Sequence, residues 1–154
     1  MSDLLQLKSV VAGLKATSKK QALQELAKHA AELTGTSERR IYETLLERER
    51  LGTTGVGNGI AIPHGKLGDF QKLYGLFARL DKPIDFESID EQPVDLIFLL
   101  LAPESAGADH LKALARVSRL LRDASMCEKL RGAKSADGLS NDLHRPIQAR
   151  GAGK

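Results

Sequence analysis

The chain has 154 residues, of which 42% are hydrophobic, 28% charged and 4% aromatic, and its formal net charge is +3. This balance predicts one soluble globular domain, and the small positive charge with few aromatic residues argues against a nucleic-acid-binding surface. No apolar run approaches the ~20 residues that cross a bilayer, and a single cysteine excludes an internal disulfide framework, so we expect a cytoplasmic protein without membrane insertion.

The first predicted element is a helix with a start signal and a stop signal. Ser18 and Gln21 form a capping box, whose side chains can bond the backbone N–H groups left free at a helix start. Apolar residues then recur at helical spacing over 22–33, and Gly35 can end the helix.

A second helix is predicted from Thr36 or Ser37 to near Gly52, and a glycine-rich loop, 52–59, follows it. Apolar residues on one side of this helix are Ile41, Leu45 and Leu46. The glycines of a dinucleotide-binding fingerprint lie between a strand and a helix, whereas these leave a helix and enter the short apolar run 60–62. The G-x-x-x-x-G-K-[ST] pattern of a P-loop is absent. We therefore predict a flexible connection between the helix and a strand.

The second half of the chain alternates strands and helices. Residues 74–80 alternate as in a strand, with Tyr74, Leu76, Ala78 and Leu80 on one side. The apolar run 94–102 is typical of a strand buried on both faces. Asp109 is predicted to cap a helix, and Ser125 with Glu128 forms a capping box for a shorter one. The predicted apolar face of the helix at Asp109 holds Leu111, Leu114, Ala115, Ser118 and Leu121.

Helices and strands in this order predict the α/β fold class, as a single domain in which helices cover a central mixed β-sheet. The domain is expected to span residues 1–143. Residues 144–154 mix Pro, Gly, Arg and Lys and are expected to form a disordered tail.

The strongest candidate for chemistry is His64, which follows an apolar run in the sequence Pro63-His64-Gly65. Proline fixes its own φ and restricts the residue before it, so we expect the imidazole to emerge at the edge of a sheet with little freedom. Gly65 has no side chain and would let a partner protein approach closely. A lone histidine in a turn more often has a structural role than a functional one, and these residues alone leave that alternative open.

Two further residues can complete a site that handles phosphoryl groups. His110 is predicted in the first turn of the helix capped by Asp109, where the helix dipole favours a neutral imidazole and attracts anions. Arg48 is a permanent cation that can bind two phosphoryl oxygens at once. Spacing along the chain does not by itself bring His64, His110 and Arg48 together.

Other chemistries have weaker support. Zinc would need clustered ligands, but His64, His110 and Cys127 are scattered along the sequence and no metal-binding motif is present. A serine hydrolase would need G-x-S-x-G, which is absent, and Cys127 is predicted to be inert. His29 and His144 are predicted to take no part in the site, for which we expect no metal and no other cofactor.

One long motif resembles a known family. Residues 47–66, which read ERERLGTTGVGNGIAIPHGK, are similar to the IIA domains of the bacterial phosphotransferase system, fructose/mannitol type. Segments 14–23, 93–103 and 109–115 also resemble that family, and the resemblance is closest to its nitrogen-regulatory members.

The resemblance implies that His64 is the phosphorylated histidine, with its tele nitrogen as the candidate acceptor, and that His110 and Arg48 stabilise the phosphoryl group. It implies a phosphotransferase activity that takes phosphate from an HPr-like phosphocarrier protein and regulates target regulatory or transport proteins by phosphorylation state. Two alternatives stay open: a sugar-specific IIA component that passes phosphate to a transporter IIB domain, and a pure protein-binding module in which phosphorylation is vestigial. For either phosphoryl-transfer function we expect in-line transfer to neutral His64, assisted by the N–H groups of the glycine loop, 52–59.

Overall fold

The computed structural model describes residues 9–68, 70–136, 138–139 and 143. The strands are β1 (Val10–Leu14), β2 (Gly55–Gly57), β3 (Ile60–Ala61), β4 (His64–Leu67), β5 (Tyr74–Ile84) and β6 (Val94–Pro103), and the helices are α1 (Lys19–Thr34), α2 (Glu38–Leu51), α3 (Ala108–Arg122) and α4 (Ala124–Gly132). The strands form one mixed sheet in the order β1-β5-β6-β3-β2, and β4 also pairs with β6. The predicted α/β fold is therefore confirmed, while the predicted tail, 144–154, lies outside the described residues.

Different helices cover the two faces of the sheet. In β6, Ile97 and Leu99 belong to the apolar core that the sheet forms with α1 and α2. Leu96 and Phe98, which alternate with them, belong to the core formed with α3 and α4. The prediction that this strand is buried on both faces is thus confirmed. In β5, the residues predicted to share one side all face α1 and α2, namely Tyr74, Leu76, Ala78 and Leu80.

Local signals set the ends of α1 and α2 as predicted. Oγ of Ser18 accepts a hydrogen bond from the N–H of Gln21 at 3.1 Å, and Gly35 ends α1 with a left-handed φ of 81°. Ser37 caps α2, and Gly52 follows its last turn. None of the helices in the described part of the chain is long and apolar enough to span a membrane.

Two predicted caps are wrong. Helix α3 begins at Ala108, so Asp109 lies inside its first turn. The residue before the helix is Gly107, and no side chain caps α3. Asp123 caps α4 instead. Its carboxylate accepts hydrogen bonds from the N–H groups of Ser125 and Met126. This carboxylate comes directly after α3 and starts α4 before Ser125 and Glu128 can act as a capping box.

The buried face of α3 also differs from the predicted one. Leu111 is 68% exposed, although it was placed on the apolar face, and Ala115 is exposed too. The way α3 packs on the sheet decides which of its residues face the core. This packing turns one polar residue, His110, inward. The buried residues of α3 are His110, Ala113, Val117, Leu120 and Leu121.

A proline interrupts the strand that leads to His64 without changing its register. Ile60 of β3 pairs with Leu96, and His64 of β4 pairs with Leu100, so both strands keep the same offset along β6. Pro63 lies between them, and its C=O accepts a hydrogen bond from the N–H of Leu100 at 3.0 Å. His64 therefore opens a strand instead of lying in a turn. Among the described strands β4 pairs only with β6, which places His64 at an edge of the sheet, as predicted.

The glycine-rich segment is more ordered than the flexible connection predicted. Its residues 55–57 form β2, which runs antiparallel to β3. Gly57 at the end of β2 and the two residues that join it to β3, Asn58 and Gly59, have positive φ values of 106°, 59° and 81°, which make the turn tight. The segment is thus the outer hairpin of the sheet.

Candidate functional site

An open cleft of about 470 Å³ lies between α2, β4 and α3. Arg48 reaches it from the last turn of α2, His64 from the first position of β4 and His110 from the first turn of α3. The tertiary structure therefore brings together the three residues that the sequence singled out. Other residues that line the cleft include Leu51, Lys66 and Leu111.

Two hydrogen bonds define the protonation of the His64 ring. Its Nδ1 lies 2.9 Å from the backbone C=O of Ile62, and its Nε2 lies 3.2 Å from Nε of Arg48. A carbonyl can only accept, and a guanidinium N–H can only donate. Nδ1 must therefore carry the hydrogen and Nε2 the lone pair. The neutral ring presents Nε2, its basic nitrogen, to Arg48.

The end of α2 holds Arg48 in place. Nη1 of Arg48 donates to the C=O of Gly52 at 2.9 Å, while its Nε donates to His64. Gly52 has a φ of 153°, which favours glycine, and this turn aims its carbonyl back at the guanidinium. Because a guanidinium has five N–H donors, Arg48 can keep its bond to Gly52 and still bind phosphoryl oxygens.

His110 lies against His64 and is only 4% exposed. The two imidazole centroids are 5.6 Å apart, and the ring planes meet at 63°. Nδ1 of His110 is buried and has no hydrogen-bond partner in the part of the chain that the structure describes. No side chain caps α3, so the positive end of its dipole is open next to the two rings.

Both imidazoles favour the neutral form. Burial lowers the pKa of His64 below its ordinary value of 6.5, and the charge of Arg48 lowers it further, against an opposing effect of its backbone hydrogen bond and of Glu49. Burial also lowers the pKa of His110, with smaller contributions from His64 and Lys66. A nitrogen nucleophile must be unprotonated, so this environment suits His64 for attack at neutral pH.

Gly65 has a different role from the predicted one. A Cβ added to it would lie 2.7 Å from Cγ2 of Thr44 in α2, which is closer than real Cβ contacts. The missing side chain therefore lets α2, and with it Arg48, pack tightly against β4. The space is taken by this chain's own helix and is not access for a partner.

The structure does not place the glycine loop in the cleft, contrary to prediction. None of the described residues that line the cleft comes from 53–59. The N–H of Thr54 donates to the carboxylate of Glu49 at 3.0 Å, and the N–H of Asn58 donates to Asp90 at 3.0 Å. These donors stabilise the hairpin itself.

The remaining histidines and the cysteine lie elsewhere. Cys127 is buried in the core beneath α3 and α4, where burial raises the pKa of its thiol and Sγ donates to the C=O of Leu121 at 3.2 Å. His29 lies on α1, with Nδ1 3.9 Å from Glu32. His144 is outside the described residues.

Sequence reasoning missed two features around the cleft. Leu51 is 85% exposed and Leu111 is 68% exposed, so the cleft that holds His64 also has two exposed apolar side chains. Glu49 is a buried carboxylate, only 8% exposed. Helical spacing could have revealed Glu49, because it continues the buried stripe of Ile41 and Leu45 at intervals of four residues.

Residues 3–144 match the family described as "Phosphoenolpyruvate-dependent sugar phosphotransferase system, EIIA 2". The chain belongs to this IIA family. A nitrogen regulatory protein of Bradyrhizobium diazoefficiens is 62% identical to this IIA protein over 146 residues, which cover 95% of each chain.

Two solved structures extend the comparison of this IIA protein. The nitrogen regulatory protein IIA-Ntr of Neisseria meningitidis has a TM-score of 0.87 and 34% identity, over 92% of this chain and 97% of that one. The mannitol IIA of Escherichia coli, in complex with phosphorylated IIB, has a TM-score of 0.76 and 23% identity, over 90% of this chain and 96% of that one. This second likeness shows a shared fold.

Proposed function

We propose that this IIA protein is a regulatory phosphoryl carrier of the nitrogen-related phosphotransferase system. His64 would accept a phosphoryl group from an HPr-like phosphocarrier, and its phosphorylation state would govern binding to regulatory or transport proteins. The observation that carries the proposal is the pair of hydrogen bonds on His64, one from Nδ1 to Ile62 and one from Arg48 to Nε2. They leave a single nucleophilic nitrogen with a permanent cation beside it.

In the proposed reaction, the Nε2 lone pair of His64 attacks phosphorus in line while the bond from phosphorus to the donor's histidine nitrogen breaks. The donor imidazole, which carries a hydrogen on its other nitrogen, leaves as a neutral ring with the electron pair of that bond. No proton leaves His64, because its Nδ1–H remains bonded to Ile62. Arg48 gives up its bond to Nε2 and turns its N–H groups to the phosphoryl oxygens, where they neutralise the developing charge.

The groups around His64 suit a bound phosphoryl group. The centroid of the buried His110 ring lies 5.6 Å from that of His64, and Nδ1 of His110 has hydrogen-bonding capacity that no described residue uses. Lys66 adds a second cation to the cleft, and the uncapped start of α3 adds a partial positive charge. These groups support the roles proposed for His110 and Arg48 in stabilising the phosphoryl group.

The rim of the cleft supports a protein as the phosphoryl donor. Leu51 and Leu111 are both exposed beside His64, and exposed apolar side chains around a polar site are typical of protein–protein contact. A site for a small metabolite usually buries most of the ligand's surface, whereas this cleft is open. An HPr-like carrier can cover both leucines while its phosphohistidine reaches His64.

The proposed regulation follows from charge. A phosphoryl group adds roughly −2 charge at neutral pH, which cancels the positive charge that Arg48 and Lys66 bring to the cleft. A partner whose charge complements one form therefore binds the other form more weakly. The high identity to a protein named as a nitrogen regulator supports this regulatory role.

A sugar-specific IIA that phosphorylates a transporter IIB domain is the second candidate, because the mannitol IIA of the same fold forms a complex with phosphorylated IIB. Mixing the phosphorylated chain with fructose and mannitol IIB domains separates the two candidates. Rapid transfer to IIB would favour the sugar-specific role, and retention of the phosphoryl group would favour the regulatory one.

The test of the carrier function is incubation with phosphoenolpyruvate and the general phosphotransferase proteins, followed by intact mass measurement. The wild-type chain should gain one acid-labile phosphoryl group, and His64→Ala should gain none. His29→Ala, which removes an imidazole far from the cleft, should label like wild type. Full labelling of His64→Ala would reject His64 as the acceptor.

A further inference from the structure

Three consecutive hydrogen-bond links connect a carboxylate outside the cleft to His64. Glu49 accepts hydrogen bonds from both the N–H of Thr54, at 3.0 Å, and the hydroxyl of Thr54. The C=O of Thr54 accepts the N–H of Ile62 at 3.0 Å. The C=O of Ile62 in turn accepts Nδ1–H of His64 at 2.9 Å. The carbonyl that sets the His64 tautomer is therefore held in place, through Thr54, by Glu49.

Glu49 is itself fixed from a second direction. Nζ of Lys19, in the first turn of α1, lies 3.0 Å from its carboxylate, and the two side chains are only 15% and 4% exposed. Lys19 also lies over the ring of Phe86, with Nζ 5.0 Å from the centroid. A buried ion pair adds little net stability, because desolvation of both charges offsets their attraction. Its main effect here is geometric, since it joins α1, the end of α2 and the start of β2.

Both hydrogen bonds on the His64 ring depend on the contacts that Glu49 makes with Lys19 and Thr54. Arg48 directly precedes Glu49 in the last turn of α2, so anchoring the carboxylate also fixes the turn from which Arg48 reaches Nε2. The bond to Ile62 and the bond from Arg48 require the same tautomer, with hydrogen on Nδ1. Loosening Glu49 would weaken both constraints at once.

We propose that Glu49 is a positioning residue that holds His64 in the Nδ1–H tautomer, with Nε2 as the reactive nitrogen, through Thr54 and Ile62. Its effect on transfer rate rests on the proposed function of His64, whereas its effect on the tautomer does not. Glu49 does not line the cleft and would not touch the phosphoryl donor.

The experiment compares wild type with Glu49→Gln and Thr54→Val by ¹⁵N NMR of the imidazole nitrogens. Glu43→Gln is the matched control, because it removes a carboxylate from the exposed side of the same helix, where Glu43 pairs only with Arg39 in the described structure. Wild type and the control should show His64 in the Nδ1–H tautomer. Both test variants should show the Nε2–H tautomer as a second population, and more of it in Glu49→Gln, which also loses the charge that binds Lys19.

A transfer assay supplies the second readout. Glu49→Gln should lower kcat for phosphoryl acceptance by the same factor by which the population of the Nδ1–H tautomer falls, because a ring in the wrong tautomer has no lone pair on Nε2. KM for the phosphocarrier should stay unchanged. Circular dichroism and thermal melting identify folded variants, and if Glu49→Gln does not fold, Thr54→Val carries the test because it alters one hydroxyl only.

An unchanged His64 tautomer in the folded variants would overturn the proposal. The NMR measurement needs no phosphoryl donor, so it remains decisive even if wild type accepts no phosphate. A wild-type chain that accepts no phosphate would instead reject the carrier function.

Discussion

Nε of Arg48 donates to Nε2 of His64 across 3.2 Å, on the side of the ring opposite the bond between Nδ1 and Ile62. In the free protein the arginine therefore occupies the nitrogen that the proposed reaction uses. This contact holds the nucleophile neutral and aimed, and it must open when phosphorus approaches. Arg48 is thus expected to affect the rate of the transfer step more than the affinity for the donor.

Replacing Arg48 by lysine tests this relationship. Lysine keeps the positive charge but has no planar group that can bond Gly52 and a phosphoryl oxygen at the same time. We therefore expect kcat to fall about a hundredfold, which is typical when one hydrogen-bond donor to a transition state is removed. Single-turnover transfer from the phosphorylated carrier measures it. Arg39→Lys, at an exposed position of the same helix, should match wild type. Equal rates for the two variants would reject the role of Arg48.

Gly65→Ala should disturb the site through packing. The new Cβ would meet Cγ2 of Thr44 at 2.7 Å, and such overpacking costs about 1–3 kcal/mol of the free energy of unfolding. It should also push α2 from β4 and slow phosphoryl acceptance. Denaturant unfolding and the transfer assay measure the two effects.

A second substitution provides the control for this packing. Thr44→Ser removes the methyl group in question, so the double variant Gly65→Ala with Thr44→Ser should recover most of the lost stability and rate. Gly132→Ala in α4, where nothing lies within 4 Å of the added Cβ, should not destabilise the protein. Failure of the double variant to recover would show that the contact with Thr44 is not the cause.

The histidine environment predicts a pH dependence. Because burial lowers the pKa of both His64 and His110 below 6.5, their NMR titrations should have midpoints under that value. Between the folded and unfolded pKa values the unfolded chain binds more protons, so stability should be lost as the pH falls below about 6.5. His64→Ala should raise the pKa of His110, because it exposes the ring of His110 and removes the positive charge that His64 gains on protonation. A midpoint for His110 that does not move would contradict this coupling.

Leu111→Gln should weaken contact with the donor. Losing one leucine from a buried contact removes about 1.5–3 kcal/mol, so KM for the phosphocarrier should rise about tenfold or more, with a smaller change in kcat. Steady-state transfer kinetics measure both constants. Ile89→Gln is the control, since Ile89 is 74% exposed but does not line the cleft. If both variants have the same KM, the apolar rim is not the docking surface.

The sequence could predict much of the fold because the signals involved are local. The bonds of Ser18 and Gly35 act within one helical turn, and alternation along 74–80 reports directly on the two faces of a strand. The two wrong caps have different causes. Asp123, two residues before Ser125, caps α4 in its place, whereas α3 begins at Ala108 without any side-chain cap, so Asp109 lies inside the helix.

The amino-acid sequence by itself determined the α/β class, the elements of the core and the identity of the three candidate residues. Periodicity, helix caps and a long motif are all patterns of residues that lie close together along the chain, so they can be recognised without the fold. Only the tertiary structure decided that Arg48, His64 and His110 meet, because their meeting depends on the register of β4 along β6 and on how closely α2 packs over Gly65. It also decided the tautomer of His64 and the burial of Glu49, since both follow from hydrogen bonds between groups that the chain keeps apart until it folds.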